Sequence, residues 1–491
     1  MAKALSLAAL GSLSPNVKVP SYRRDQLSPG IVHIGVGNFH RAHQALYMDR
    51  LFNKGLNHDW AITGTGVQPA DVKMYDALRA QDLLSTVVEQ EAATSTARVT
   101  GAMTGFIRPG DTAAILAQLA HPSTRIVSLT VTEGGYFIDP ATGIFNPQAP
   151  EIQRDAANPD APLTAFGLIA KGLGLRRAAG LRPYTVMCCD NIPHNGAVTR
   201  SAVAGLAGLS NPDLAEWIKA EAAFPNAMVD RITPATSDRE RAHLAEHYGI
   251  ADRWPVYCEE FIQWVLEDNF SNGRPALEEA GAEFVSDVTP YEFMKIRILN
   301  GGHASIAYAG TLLDVHFVHD AMAHPLIGGF FAKVEQEEIV QTVPPVPNTN
   351  LHAYYELIKR RFSNPKIGDT IPRLAFDGSN RQPKFIVPVI ADRLKTGAGI
   401  RGLALESALW CRHCAGKTAS GKIIEKCDPN WERLNAKAES ARHDPLEWLG
   451  MADIYGDVGR APVMRDAFSA ALTAVWAHGP AAAITDYLGT S

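Results

Sequence analysis

The sequence predicts an α/β fold in which an N-terminal, doubly wound parallel-sheet domain precedes a mostly α-helical C-terminal domain. Three observations predict it. Through the first half, apolar runs of strand length alternate with helical patterns, the signature of a parallel sheet with crossover helices. A Gly-x-Gly turn, Gly35-Val36-Gly37, stands between the first strand pattern and the first helical one. After Asp287-Val-Thr-Pro290 the texture changes, and long helical patterns dominate from Tyr291 onward. The expected domains are therefore residues 1–285 and 286–491.

Each element follows from its residues. Gly30-Ile-Val-His-Ile34 reads as a strand, Phe39 to Phe52 as one helix and Trp60 to Val67 as the next strand. That makes a βαβ unit of the usual size, about 30 residues. Arg125 to Thr132 and Tyr184 to Cys188 are further strands, followed by Glu133-Gly-Gly-Tyr136 and Asp190-Asn191. Ligands of open α/β sheets bind at the carboxyl ends of strands, so Glu133 and Asn191 are expected beside any cofactor.

Size and composition bound the function. A chain of 491 residues exceeds one typical core. With 46% hydrophobic and 20% charged residues it has the make-up of a globular protein. A net charge of -6 and a pI near 6.2 argue against nucleic acid or an anionic membrane as partner, since both require a concentrated positive field. No run of 18 apolar residues is present, so no span is expected. The stretch Ala4 to Leu13 is interrupted by Ser and Gly and leads into Pro15, unlike a signal peptide. Six cysteines, with Cys188 and Cys189 adjacent, make no disulfide framework, and a reducing cytoplasm is the expected location.

The Gly35/Gly37 turn carries two of the three glycines of a dinucleotide fingerprint, with His40 in the third place. Gly35 permits a tight turn, Gly37 lets a pyrophosphate approach the backbone, and the helix start offers unpaired N–H groups. By itself the motif is equally compatible with a plain turn. Asp59 lies at the wrong end of the second strand to meet an adenosine ribose, whereas Asp71 lies at the correct end. A carboxylate there would repel a 2'-phosphate, which favours NAD over NADP.

Lys295-Ile-Arg-Ile-Leu-Asn300-Gly-Gly-His303 places a proton acceptor, an amide and an imidazole in one short stretch. In a regular helix the three fall within an arc of roughly 140° and span about 12 Å. One alcohol meets all three if it lies along that face or if the helix is irregular near Lys295. The nonapeptide alone is equally compatible with an exposed lysine and a core histidine.

Four other patterns compete. Cys411-Arg-His-Cys414 with Cys427 resembles a zinc site but lacks an obvious fourth ligand, so core cysteines are expected. His40-Arg-Ala-His43 has ligand spacing, yet a role at the phosphate turn fits better. Tyr355-Glu-Leu-Ile-Lys359 matches a reductase Tyr-x-x-x-Lys pattern, but it lies far from the first βαβ unit and reads as a packed tyrosine. Glu267 and Asp268 read as a solvated helix face or a structural ion pair, with no chemistry assigned. No metal is expected.

Several segments together resemble the polyol-specific long-chain dehydrogenases. They are Gly35 to His43, Thr130-Val-Thr-Glu-Gly-Gly-Tyr136, Cys189-Asp-Asn-Ile-Pro-His-Asn195 and Phe224-Pro-Asn-Ala-Met-Val-Asp-Arg-Ile-Thr-Pro234. Gln263-Trp-Val-Leu-Glu-Asp268, the Lys295/Asn300/His303 stretch and Asp377-Gly-Ser-Asn-Arg-Gln-Pro-Lys384 follow in order, as does Ile454-Tyr-Gly-Asp457. The resemblance implies a Rossmann-type N-terminal domain, an active site in the cleft between the domains, and a monomer. It implies a metal-independent, NAD-linked enzyme that interconverts a polyol such as D-mannitol with its ketose, D-fructose. Lys295 resembles the general base, Asn191 and Asn300 the pair that holds the reacting oxygen, and His303 the group that orients it. Asp230, Arg373 and Arg381 resemble the groups that grip the remaining hydroxyls, with arginine at 381 where some members carry lysine. Glu292 resembles a gate for proton exchange. Cofactor contacts are implied for Ile34, Gly35, Val36, Gly37, Asn38, Phe39, His40, Arg41, Asp71, Glu133 and Val229.

The chemistry of alcohol oxidation suits these residue types. Charge develops on the oxygen as its proton leaves, so a base and a preorganised cradle of donors are required. A free lysine titrates at about 10.4, and desolvation with a nearby positive ring would lower it. D-Arabinitol 4-dehydrogenase and fructuronate reductase are alternatives within the resemblance. A dinucleotide sensor without turnover is the alternative of another class, but it has no need of the Lys295, Asn300 and His303 spacing.

Overall fold

The computed structural model describes residues 2–138 and 145–489. The chain forms two compact units, Met1–Thr289 and Pro290–Ser491. In the first, five parallel strands make the main sheet: β1 (Pro29–Ile34), β2 (Ala61–Thr65), β3 (Met103–Phe106), β4 (Ile126–Leu129) and β5 (Thr185–Cys188). Their spatial order is β3-β2-β1-β4-β5. This is the doubly wound order in which the chain reverses direction beside β1, leaving a crevice at the strands' carboxyl ends.

Alternation along each strand builds two cores. Val32, Ile34, Val127, Leu129, Val186 and Cys188 face one side. They pack under α4 (Thr112–Ala120), α5 (Ala165–Ala178) and α6 (Asn195–Ser210) through Leu119, Phe166, Ile169 and Val203. Ile31, Ile62, Ile126 and Met187 face the other side, with Met48, Leu51 and Leu78. Those last three come from α2 (Gln44–Asn53) and α3 (Asp71–Arg79). Two smaller sheets complete the unit, one joining Val256–Glu259, Ser85–Gln90, Ser95–Thr100 and Val17–Lys18, the other Ala227–Asp230, Gln263–Glu267 and Glu283–Val285. A further two-stranded pair, Lys3–Ala4 with Ile250–Ala251, lies near the N-terminus.

One expectation about helices needs correction. The helix expected from Phe39 to Phe52 is two, α1 (Asn38–Ala42) and α2, parted at His43, whose φ of -120° and ψ of -94° fit no helix. The buried imidazole there reaches the Gln263 carbonyl at 3.0 Å and packs between Phe39 and Trp264. Of the two arrangements left open at Lys295–Asn300, the irregular helix is the one found. Between α7 (Thr289–Met294) and α8 (Gly301–Leu312) this stretch is a π turn, and Gly301 N–H reaches back five residues to the Ile296 carbonyl.

The second unit is helical among its described residues. Besides α7 and α8 it includes α9 (Pro325–Val334), α10 (Leu351–Phe362), α11 (Ile371–Ala375), α12 (Gly378–Phe385), α13 (Arg401–Cys414) and α14 (Pro462–His478). Helix α9 runs into a second π turn, Glu335–Ile339, which packs against the first. No helix among the described residues is long and apolar enough to cross a membrane.

Candidate active site

In the first unit, the glycine turn, Glu133 and Asn191 follow the carboxyl ends of β1, β4 and β5, while Asp71 lies beyond β2 and Val229 and Asp230 sit on a smaller sheet. Gly35 has φ +96°, and a Cβ there would stand 2.1 Å from the Thr130 carbonyl oxygen. Only glycine fits. At Gly37 the nearest atom to an added Cβ is Gly35 O at 3.9 Å, so the protein's own packing does not demand glycine there. The room left fits the close approach of a phosphate to the backbone.

Behind the turn lies a buried polar network. His33 Nδ1 is 2.8 Å from Ser128 Oγ, which lies 2.7 Å from Gln44 Oε1. Its Nε2 is 3.0 Å from Thr130 Oγ1, which donates to Gly35 O at 2.7 Å. His40, in the third fingerprint position, stacks on His33 with ring centroids 3.5 Å apart. Burial pulls His33 down to about 3 and His40 well below its ordinary value, so both rings are neutral. The imidazole pair thus fills the helix–strand contact that a third glycine would have closed.

The neighbouring side chains point inward too. Arg41 donates to Gly37 O, Asn38 Oδ1, Ser85 Oγ and Trp254 O, and burial lowers it to about 10. Asn38 Nδ2 donates to Pro234 O at 3.2 Å and Thr236 Oγ1 at 3.0 Å. Phe39 stacks on His43. Ile34 and Val36 are buried in the two cores. Asp71 opens α3 beyond the carboxyl end of β2, where its Oδ2 accepts the Gln68 N–H at 2.9 Å. The side chain of Glu133 lies outside the described residues.

Asn191 follows β5 and is exposed. The residue before it, Asp190, accepts the N–H groups of Val131 at 2.9 Å and Thr132 at 3.2 Å, together with the Tyr136 hydroxyl at 2.6 Å. Val229 and Asp230 end the Ala227–Asp230 strand, both buried. A ridge therefore runs from Gly35 through Thr130 to Asp190 and Asn191.

In the second unit, Glu292, Lys295 and Asn300 are buried at 7% exposure each. The i→i+5 closure of a π turn sets residues five apart one above the other, which brings Lys295 and Asn300 onto one face. His303 stacks on Phe362 at 4.3 Å. Burial, aided by the charges of Arg373, Arg361 and Arg381, pulls it to about 3 against the opposing pull of Asp369, so it is neutral. Arg373 forms a two-point ion pair with Asp369, four residues earlier. Arg381 Nη1 donates to the Leu374 carbonyl at 2.9 Å, at the end of α11.

The rival patterns fall elsewhere. Tyr355 is fully buried between Phe331 and His352, and its hydroxyl accepts the Gln336 amide at 3.2 Å. His413 Nε2 lies 3.3 Å from Cys427 Sγ, while burial pushes the Cys411 and Cys414 thiols well up. No group of three or more His, Cys, Asp or Glu that could hold a metal occurs among the described residues. Sequence reasoning assigned no role to Asp190, Thr130, Tyr136, Asp369 or Phe362. Asp369 had a signal, the four-residue spacing to Arg373. Asp190 and Tyr136 were visible only as neighbours of residues already chosen.

A family model described as mannitol dehydrogenase Rossmann domain matches residues 29–279, and one described as mannitol dehydrogenase C-terminal domain matches residues 287–476. The mannitol 2-dehydrogenase of Cereibacter sphaeroides is 56% identical over 477 residues, covering 97% of this chain and 100% of that protein. The Aspergillus terreus mannitol 2-dehydrogenase is 45% identical over 449 residues, covering 90% and 89%. Among solved structures, the Pseudomonas fluorescens mannitol 2-dehydrogenase in a ternary complex with NAD and D-mannitol superposes with a TM-score of 0.89, at 42% identity and 100% coverage of both chains. A D-sorbitol dehydrogenase in substrate-free form gives a TM-score of 0.90 at 34% identity, covering 98% of this chain and 100% of that one.

Proposed function

The chain belongs to the mannitol dehydrogenase family, and on that premise we propose that it is an NAD-dependent, metal-independent oxidoreductase interconverting D-mannitol and D-fructose, with Lys295 as general base. The observation that carries the reading is the π turn, which sets Lys295 and Asn300 on one face of the chain. Support for the cofactor comes from the Gly35/Gly37 turn, where the open space at Gly37 fits a pyrophosphate. The carboxylate of Asp71 beyond β2 favours a free ribose hydroxyl over a 2'-phosphate.

Bound NAD would supply the hydride acceptor for the carbinol carbon. Lys295 Nζ takes the hydroxyl proton. The Asn191 and Asn300 carboxamides donate to the oxygen as it gains charge, without adding a charge of their own. His303, half-buried and held neutral by desolvation, orients that oxygen without competing for the proton. Asp230, Arg373 and Arg381 hold the remaining hydroxyls, and Glu292 passes the proton from Lys295 to solvent. The cofactor is held by Ile34, Gly35, Val36, Gly37, Asn38, Phe39, His40 and Arg41, chiefly through backbone, and by Asp71, Glu133 and Val229. A uronate would need a cation for its carboxylate; Asp369 already neutralises Arg373, but Arg381 could supply one, so mannitol is preferred over fructuronate on family resemblance and not on charge. The same pair does not separate mannitol from arabinitol, and specific activities on mannitol, arabinitol, sorbitol and fructuronate make that comparison.

Lys295→Ala is expected to remove nearly all mannitol oxidation, followed as NADH absorbance, while NAD titration by protein fluorescence stays close to wild type. Equal loss of both would mean misfolding. Loss of activity in Tyr355→Phe with Lys295→Ala still active would assign the base to Tyr355. Silence of the wild type with every hexose, pentulose and uronate would favour the sensor.

A further inference from the structure

Asp190 joins two parts of the proposed site that are distant in sequence. Its carboxylate is buried at 9% exposure and accepts three hydrogen bonds from the segment after β4: the Val131 and Thr132 backbone N–H groups and the Tyr136 hydroxyl. Its own carbonyl accepts Asn195 Nδ2 at 3.0 Å, and Asn195 in turn is bound to both backbone groups of Ala227 at 2.7 and 2.9 Å. The loop of Asn191 is thereby tied at its start, while the same residue grips the segment beside Gly35.

The gripped segment is strained. Thr132 has φ +65° and ψ 163°, a region that is essentially glycine's own. A threonine remains there only when its surroundings over-determine it. Asp190 is the group that does so, since its Oδ1 takes the Thr132 N–H. A neutral asparagine in its place would have to turn one donor toward an N–H or the tyrosine hydroxyl.

We propose that Asp190 is a positioning residue for the reaction: by anchoring the start of the Asn191 loop to the strained Val131–Thr132 turn it fixes the Asn191 amide, so that oxyanion support depends on one carboxylate. The proposal rests on the reading of Asn191 as a donor to the reacting oxygen. Asp190 acts through Asn191 and touches no substrate.

A double-mutant cycle in the full-length enzyme tests it, with kcat and KM for mannitol and the thermal midpoint recorded for each variant. Asp190→Asn is expected to lower kcat roughly ten- to a hundredfold, the worth of hydrogen bonds to a charged acceptor. Asn191→Ala lowers it further. Asp190→Asn combined with Asn191→Ala then loses no more kcat than Asn191→Ala alone, within about twofold. Should Asp190→Asn fail to fold, Tyr136→Phe, which removes one of the three bonds, takes its place in the same cycle. Multiplying losses, or unchanged kcat in the Asp190 or Tyr136 variant, would overturn the proposal. Full activity in Asn191→Ala would instead overturn the parent reading, and this one with it.

Discussion

Gly35 and Gly37 look alike in the sequence and differ in physics. A methyl group at 35 collides with the Thr130 carbonyl and must hold φ +96°, whereas one at 37 meets nothing closer than 3.9 Å. Gly35→Ala is therefore expected to destabilise the first unit by more than about 1 kcal/mol, seen as a lower thermal midpoint. Gly37→Ala should keep the midpoint and raise KM for NAD at least tenfold. A Gly37→Ala enzyme with wild-type KM would remove the pyrophosphate from that turn. The glycine pair was legible because backbone geometry restricts the residue type. His40 was not: its stacking on His33 depends on a strand partner seven residues back, and no local rule writes an imidazole into a helix–strand contact. Asp190 escaped for a related reason, since its three partners lie more than fifty residues away in sequence.

At the level of elements, strands were easier to read than helix irregularities. Apolar runs gave β1, β2, β4 and β5, while Thr and Gly interrupt Met103–Phe106, and polar residues dilute the six-residue strands Ser85–Gln90 and Ser95–Thr100. A π turn leaves the apolar pattern almost unchanged, because it alters one hydrogen-bond register and not the residue types. The two π turns at Lys295–Asn300 and Glu335–Ile339 pack together, and the glycines after the first record how tightly. A Cβ at Gly302 would lie 2.9 Å from Phe331 and 3.0 Å from Glu335 Oε1, but at Gly301 the nearest atom is 3.5 Å away. Gly302→Ala is expected to cost about 1–3 kcal/mol through overpacking, and to lower kcat because His303 is the next residue. Gly301→Ala should be tolerated, with a gain of up to about 1 kcal/mol from helix propensity. Thermal melts and kcat on the two variants decide it, and equal behaviour would mean that the contact with the second π turn does not hold the reactive segment in place.

Across the whole molecule, buried ionisable groups of both kinds set the pH dependence of stability. His33, His303 and His413 are each pulled down to about 3 by burial, and His40 lies well below its ordinary 6.5. Unfolding frees these rings to take protons once the pH falls below 6.5, so the stability they leave intact above that value is lost as the pH drops toward 3. Buried carboxyls act in the opposite sense. Burial raises Glu406 from 4.5 to about 8, and Glu335, whose two oxygens have no hydrogen-bond partner among the described residues, goes well above the ordinary range. Protonated in the folded chain and ionised in the unfolded one, they leave stability intact below 4.5 and remove it as the pH rises toward their folded values. Glu406 accepts the Gln382 amide at 2.6 Å, and a glutamine can accept it equally well. Glu406→Gln deletes the titration and keeps the bond. The thermal midpoint of Glu406→Gln relative to wild type should therefore rise steadily from pH 5 to pH 8, by an amount that corresponds to about 1.4 kcal/mol per pH unit at most. Parallel midpoint curves over that interval would mean that the Glu406 carboxyl is already ionised in the folded protein, held by a charge or solvent path that its complete burial excludes.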